Sequence, residues 1–455
     1  QKSNFDGDTP ANCNAHIEIA TSDDNVTYTS FRNFTIGDYT ARFFKFKLIM
    51  TFDYNHTFEN ALNQLRSEGR YRVFNNITRK SGEFPKAVFN NELGIKSDVT
   101  VWCSNDYLGM GQNPEVIEAF VNAAKAVGAG AGGTRNISGT SSYHVELERE
   151  LCKFHHKEAA LIFTSGYIAN ECALSTLARF LPGCIVYSDA NNHASMIEGI
   201  KNGRSDKHVW RHNDVDHLEF LLKQSPKEQP KIVAFESVYS MDGDLCPIKD
   251  IIRVSKKYNA LTYLDEVHGV GLYGDNGGGL SEKMGVTDEL DIIEGTLAKG
   301  FGIMGGYIAA NKNIADIIRS FAPGFIFTTS MPPSIAAAAI ASIRVVKNNH
   351  SLRLELHERA NKLKQLMLER NLPIIKNDSH IVPLLVRDSA RCKEISDILL
   401  NDFSIYVQPI NYPTVPKGTE RLRFTPTPYH DNQKMQYLVD CLDQIWSELK
   451  LSRAA

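Results

Sequence analysis

Long blocks of charge of one sign are missing from this chain, whose 50 Lys and Arg stand against 53 Asp and Glu for a formal charge of −3. That balance disfavours nucleic acid and anionic membrane surfaces as partners. Long apolar runs are missing too: the longest small-apolar stretch, Ser334 to Val346, is interrupted by Arg344 and is too short to span a bilayer, so it reads as a buried helix. The eight cysteines (Cys13, Cys103, Cys152, Cys172, Cys184, Cys246, Cys392 and Cys441) form no C-x-x-C pair and no cysteine–histidine spacing suited to zinc. No metal site is expected, and a reducing compartment fits best. There is no internal repeat.

What is present is a chain of 455 residues with 42% hydrophobic content, enough for two or three domains around substantial cores. Residues 1–49 differ in character from the rest, being rich in Thr, Asn, Asp and Phe with strand-like stretches such as Asn25 to Phe34. Asp6, Asp8, Asp23 and Asp24 speak against a mitochondrial presequence. The reading is of an atypical, non-native extension, with Met50 as the natural start and a form beginning at Met50 fully functional. Residues 50–100 read as an N-terminal arm, 101–348 as a large domain and 349–455 as a smaller C-terminal domain.

Phe58, Leu62 and Leu65 recur at helical spacing, predicting a helix over Thr57 to Ser67 that Gly69 stops. Asn113 and Pro114 give an N-cap and first-turn proline to a helix striped by Ile117, Phe120, Val121 and Ala124 and ended by Gly128. Leu147, Leu151 and Phe154 mark another helix. From Ala159 short apolar runs alternate with helical stretches: Ala159 to Phe163, Cys184 to Ser188, Lys231 to Phe235, Leu261 to Leu264, Asp291 to Ile293 and Gly306 to Ala310. This is the pattern of an α/β fold with a large, mostly parallel sheet covered by helices on both faces. Beyond Asn349, strands at His380 to Val386 and Arg421 to Phe424 precede a helix carrying Met435, Leu438, Leu442, Ile445 and Leu449, as in a smaller α+β domain.

Gly128, Gly130 and Gly133 satisfy G-x-G-x-x-G, but a helix precedes them where a dinucleotide fingerprint requires a strand. They read instead as a glycine-rich connection.

The chemistry gathers elsewhere. Leu261 to Leu264 is an apolar strand delivering Asp265 and His268 at its carboxyl end, where open α/β sheets bind ligands. An ionised carboxylate facing a pyridine nitrogen keeps the ring protonated and able to draw electrons from a carbanion. Asp291 to Gly306 then sets Thr296 and Lys299 among glycines. A lysine near a cationic ring is biased towards the neutral amine that forms imines and moves protons. Ser165, Gly166 and Tyr167 sit where a strand meets a helix, a seat for a phosphate. His193 follows the next strand, placed to stack on a ring. Taken singly, each has a plain reading: a cap for Asp265, Ser165 or His193, a solvated surface residue for Lys299. Their combination decides for a pyridoxal enzyme.

With these residues in place the chain resembles the α-oxoamine synthases, fold-type I pyridoxal-phosphate transferases, from about Asp53 to Leu449. The stretches that carry the resemblance are Glu68-Gly-Arg-Tyr-Arg72, Cys103-Ser-Asn105-Asp-Tyr107-Leu-Gly-Met-Gly, Gly130-Ala-Gly-Gly-Thr134-Arg-Asn136-Ile137-Ser-Gly, Asp265-Glu-Val-His268, Gly295-Thr-Leu-Ala-Lys299 and Arg421-Leu-Arg423-Phe-Thr-Pro-Thr-Pro. It implies pyridoxal 5'-phosphate held by Lys299 as a Schiff base, with His193 stacked on the ring and Asp265 on its nitrogen. His268 and Ser240 would address the phenolic oxygen, and Thr296, Ser165, Gly166 and Tyr167 the phosphate. It also implies a homodimer with shared sites, in which Phe327-Thr328-Thr329 reaches the phosphate across the interface; the plain reading of those threonines is a strand face.

The substrates implied are glycine and succinyl-CoA, in a condensation that releases coenzyme A and carbon dioxide at the start of tetrapyrrole (haem) synthesis. Arg423 would grip the glycine carboxylate in a two-point pair. Arg72, Thr134, Asn136 and Ile137 would take the far carboxylate of the acyl group, and Asn105 would join the substrate site. The plain reading of Arg72 is an exposed helix-end residue. Gln408 to Arg421, rich in proline, reads as a mobile lid. Gly300 stands where many relatives carry Ala, which would loosen that turn, and Cys246-Pro247 reads as an ordinary loop rather than a haem-sensing dipeptide; with the acidic residues that speak against a presequence, this favours a cytoplasmic enzyme of bacterial type. The rival readings are a sister synthase using another acyl-CoA and a catalytically silent scaffold, the latter opposed by the retained Lys299, Asp265 and His268.

Overall fold

The computed structural model describes residues 13–20 and 45–453, with side chains from residue 52. The stretch Asn25 to Phe34 lies outside the described residues. Two units divide the chain, Gln1–Val73 and Phe74–Ala455. In the first, strands Cys13–Ala20 and Lys45–Phe52 pair antiparallel and are followed by helix Tyr54–Ser67. Asp53 caps that helix by accepting from the His56 N–H at 3.0 Å, which starts it three residues ahead of the expected Thr57. None of its residues is buried.

The second unit is built on seven strands, numbered in chain order: β1 Ala159–Phe163, β2 Ile185–Asp189, β3 Asp206–Trp210, β4 Lys231–Glu236, β5 Leu261–Asp265, β6 Ile292–Thr296 and β7 Gly306–Ala310. They lie in the order β1-β7-β6-β5-β4-β2-β3, and β7 alone runs antiparallel to its neighbours. Every residue of β2, β4, β6 and β7 is buried, because helices cover both faces and leave no polar side to alternate with. Side chains still alternate between two cores: Val233 and Phe235 join one cluster with Leu147, Leu151 and Ala336, whereas Ile232 and Ala234 join the other with Ala169, Met196 and Phe325.

The sequence reading missed β3. Its residues Asp206, Lys207 and Val209 are exposed and only Trp210 is buried, as suits an edge strand that charge protects from further pairing. The other expected elements appear near their limits. Helix Pro114–Val127 begins at Asn113, whose side chain accepts from the Glu115 and Val116 N–H groups, and ends at Gly128. The glycine connection after it follows a helix, contrary to a dinucleotide loop. Helix Pro333–Asn348 is buried along much of its length, and Arg344 escapes outward to Glu146 at 2.8 Å.

Beyond it, strands Val382–Leu385, Pro409–Ile410 and Arg421–Phe424 form a small sheet. Leu363, Leu399, Phe424, Leu438 and Trp446 share the core of this C-terminal part. Strand Ile405–Tyr406 pairs parallel with Lys96–Val101, which continues antiparallel into Lys86–Asn90 and Asn76–Arg79. Among the described residues, no helix is long and apolar enough to cross a membrane, and no cluster of His, Cys, Asp and Glu could hold a metal.

Candidate active site

The carboxyl ends of the parallel strands converge on a cleft of about 230 Å³. It brings together Ser165, Gly166, Tyr167, His193, Asp265, His268, Thr296 and Lys299. β1 leads to Ser165, β2 to His193, β5 ends in Asp265 and β6 ends in Thr296, three residues before Lys299. Gly306 opens β7 at the same rim, and a Cβ there would lie 2.3 Å from the Gly166 nitrogen, so only glycine lets the strand pass.

Asp265 is buried and held at both oxygens: Oδ1 accepts from the Val267 N–H at 2.8 Å, and Oδ2 from Asn170 Nδ2 at 2.8 Å. Asn170 in turn donates to Ser195 Oγ at 3.1 Å and accepts from the Tyr263 hydroxyl at 2.9 Å. Ser195 Oγ meets His193 Nδ1 at 2.8 Å, and the same nitrogen accepts from the Ser195 N–H, so His193 also caps helix Ala194–Gly203. Nδ1 is therefore an acceptor, and the ring proton belongs on Nε2. Burial lowers the His193 pKa, with Asp265 opposing and Lys299 assisting, so the ring is neutral.

Burial also lowers the Lys299 amine to about 8, with Asp265 opposing and Arg423 assisting. An amine in that range exchanges protons near neutral pH. Asp265 is flanked across the sheet by Glu236 and Glu294, its register partners on β4 and β6. Both are pushed well above the usual carboxylate range, first by burial and then by Asp265, because three adjacent carboxyls cannot all ionise in a dry interior. Glu236 Oε1 accepts from the His193 N–H at 2.5 Å.

Arg423 is buried, and its described partners are neutral: Nε donates to the Ser240 carbonyl at 2.7 Å, Nη2 to the Tyr107 hydroxyl at 2.9 Å and Nη1 to Asn105 Oδ1 at 3.3 Å. The Tyr107 oxygen also lies 2.8 Å from His268 Nδ1. Burial drives the His268 pKa well below its ordinary value, so this imidazole is neutral. Asn105 is exposed and lines a second cavity of about 510 Å³ with Arg79, Ala298 and Gln408.

The remaining expected residues lie elsewhere. Thr134 and Thr329 form an antiparallel bridge, and neither they nor Asn136, Ile137 and Thr328 line the cleft within this chain. Arg72 belongs to the first unit, where it is exposed. Gly300 does not loosen its turn: a Cβ there would lie 2.4 Å from the Val270 carbonyl, so the bare backbone permits a close approach. Cys246 is buried, its thiol pushed well above the usual range by burial, and Pro247 precedes helix Ile248–Lys257. Sequence reasoning passed over Asn170, Glu236 and Glu294. Glu236 ends β4 and Glu294 lies in the middle of β6, so neither carries a signal until the register sets both beside Asp265; Asn170 shows only as an amide on an otherwise apolar helix face.

The donor set fits a phosphorylated pyridine aldehyde. Ser165 Oγ accepts from the Ile168 N–H at 3.2 Å, leaving the first-turn N–H groups of Gly166 and Tyr167 without intrahelical acceptors, as an anion seat requires. A carboxylate, a neutral imidazole and an amine of lowered basicity complete the set. The family described as aminotransferase class I and II matches residues 97–442, and the chain belongs to that family of pyridoxal-phosphate enzymes. The chain is 56% identical to a 5-aminolevulinate synthase of Rhizobium meliloti (strain 1021), over 88% of its own length and 99% of that protein's. A 5-aminolevulinate synthase of Paracoccus denitrificans is 54% identical over the same shares. Within the wider family the chain is thus a member of the 5-aminolevulinate synthases, pyridoxal-phosphate-dependent acyltransferases. A serine palmitoyltransferase of S. paucimobilis, solved with a bound PLP–myriocin aldimine, superposes with a TM-score of 0.81 at 31% identity, covering 88% of this chain and 99% of that one.

Proposed function

We propose that the protein condenses glycine with succinyl-CoA to give 5-aminolevulinate, coenzyme A and carbon dioxide, as a cytoplasmic homodimer with shared active sites. The observation that carries this reading is Arg423, a buried guanidinium whose charge is felt at Lys299 and whose described partners are all neutral. A buried cation without a counter-charge is costly, and a small carboxylate arriving in two-point contact offsets that cost.

When bound, pyridoxal phosphate supplies an aldehyde and an electron-poor ring that disperses negative charge from the amino acid's α-carbon. Lys299 would hold it, Asp265 would face the ring nitrogen and His193 the ring plane. His268 and Ser240 would lie on the phenolic-oxygen side. Ser165, Gly166, Tyr167 and Thr296 would seat the phosphate, joined by Thr328 and Thr329 of a second copy. Arg423 orients glycine by its carboxylate, so that one α-hydrogen faces Lys299 Nζ, and the lowered basicity of that amine suits it to take the proton and return it. His193, neutral with its proton on Nε2, can donate to the thioester oxygen. Arg72, Thr134, Asn136 and Ile137 would receive the far carboxylate of the succinyl group, and Asn105 would join the substrate site. The dimer reading is supported by Ile137 and Phe327, apolar side chains 81% and 79% exposed in this chain.

Purified holoenzyme offered glycine with succinyl-, acetyl- or pimeloyl-CoA tests the proposal. Succinyl-CoA is expected to give the highest kcat/KM; a preference for acetyl-CoA would overturn the assignment of Arg72.

A further inference from the structure

His212 follows β3, outside the cleft, and contacts none of the groups assigned above to substrate or cofactor. Its ring is clamped at both ends, Nδ1 at 2.8 Å from Asp189 Oδ1 and Nε2 at 2.6 Å from Asp244 Oδ2. Two carboxylate acceptors on two ring nitrogens require a proton on each, so the ring is an imidazolium. Burial opposes that charge, but the hydrogen bonds and charges of the two aspartates overcome it and raise the ring to about 10. Tyr239 packs against the ring in a T-shaped contact, with ring centroids 4.4 Å apart.

The two aspartates belong to different loops. Asp189 ends β2 and opens the turn to His193: its Oδ1 also accepts from the Asn191 N–H at 2.8 Å and its carbonyl from Asn192 at 3.3 Å. Asp244 closes the turn that begins at Tyr239, whose N–H donates to the Asp244 carbonyl at 3.1 Å. That turn offers the Ser240 carbonyl to Arg423 Nε at 2.7 Å. Asn213 follows the same pattern as its neighbour, donating its N–H to Asp189 Oδ2 at 2.9 Å and Nδ2 to Asp244 Oδ2 at 2.7 Å.

We propose that His212 is a positioning residue for the amino-acid substrate: by bridging Asp189 and Asp244 it sets the spacing between the His193 loop and the Ser240 turn, and through Ser240 the aim of Arg423. The inference rests on Arg423 as the glycine-carboxylate site. Glycine titration of the holoenzyme, followed by cofactor absorbance, reads the affinity without turnover. A wild-type protein with no saturable glycine response would overturn the Arg423 reading and this inference with it. Given that response, His212→Ala and Asp244→Ala are each expected to weaken glycine binding roughly tenfold, the size of a coupling between sites. The KM for succinyl-CoA should stay within about twofold, and the double variant should be no weaker than Asp244→Ala alone, which already releases both His212 and Asn213 from that turn. Should His212→Ala fail to fold, Asp244→Ala carries the test, its carboxyl lying on a partly exposed turn. Unchanged glycine affinity in Asp244→Ala, or equal weakening of both substrates, would overturn the inference alone.

Discussion

The cleft around Lys299 and the surface formed by Thr134, Ile137, Phe327 and Thr329 are assigned to one reaction, yet the chain builds them oppositely. In the cleft, Asp265 and His268 are almost wholly buried, and Asn170, Ser195 and Tyr107 hold the polar atoms in hydrogen bonds. At the other surface Ile137 and Phe327 stand exposed. The first region completes its charge arrangement within one chain, where burial tunes Lys299 and the two histidines. The second offers apolar area that gains stability only when covered. Proton-moving groups need a fixed electrostatic environment, which one chain can supply; a pocket for a long acyl donor can be closed by a second copy.

The comparison breaks most sharply at Lys299. Lys299→Ala should lower turnover roughly a thousandfold or more, the scale of losing a positioned base and covalent anchor. Steady-state kinetics check it, and borohydride reduction with peptide mapping should find a pyridoxyl label at residue 299 in the wild type only. On the exposed side, Phe327→Glu with Ile137→Asp should raise the dimer dissociation constant roughly a hundredfold, two symmetry-related contacts each contributing about 1.4 kcal/mol. Sedimentation at graded concentrations measures this, and an unchanged dimer would place the interface elsewhere. Arg423→Ala, between the two regions in effect, should raise the KM for glycine about thirtyfold, from loss of about 2 kcal/mol of charge-assisted hydrogen bonding.

The smallest effect is thermal. The folded-state value of His212 is raised above that of a free imidazole, so its contribution to stability is fully present below about pH 6.5 and is lost as pH rises through about 10. Between pH 9 and 11 the wild type should lose about one to two degrees more in melting temperature than His212→Gln, as scanning calorimetry would show.

Much of this was legible in the residues. Six of the seven sheet strands are apolar runs bounded by turns, and Asn113-Pro114 and Ser165 announce helix starts by cap chemistry. The edge strand Asp206–Trp210 was not legible, because one buried tryptophan among charges has no period to detect. Asp265 stood out at its strand end, whereas Glu236 and Glu294 gained meaning only when the register placed them beside it. Asn170 could not be singled out, since its three partners come from β5 and from the helix after His193.

By itself the sequence determined which groups are available: a lysine, a strand-end aspartate, two histidines, a phosphate seat at a helix start and an arginine in a late strand. Those are matters of local order along the chain, where propensity, capping and motif spacing act. Only the tertiary structure decided their protonation and aim, because desolvation and Coulomb terms depend on neighbours remote in sequence. Lys299 is lowered by burial, His212 is charged between Asp189 and Asp244, and Arg423 is steered by a carbonyl 183 residues away.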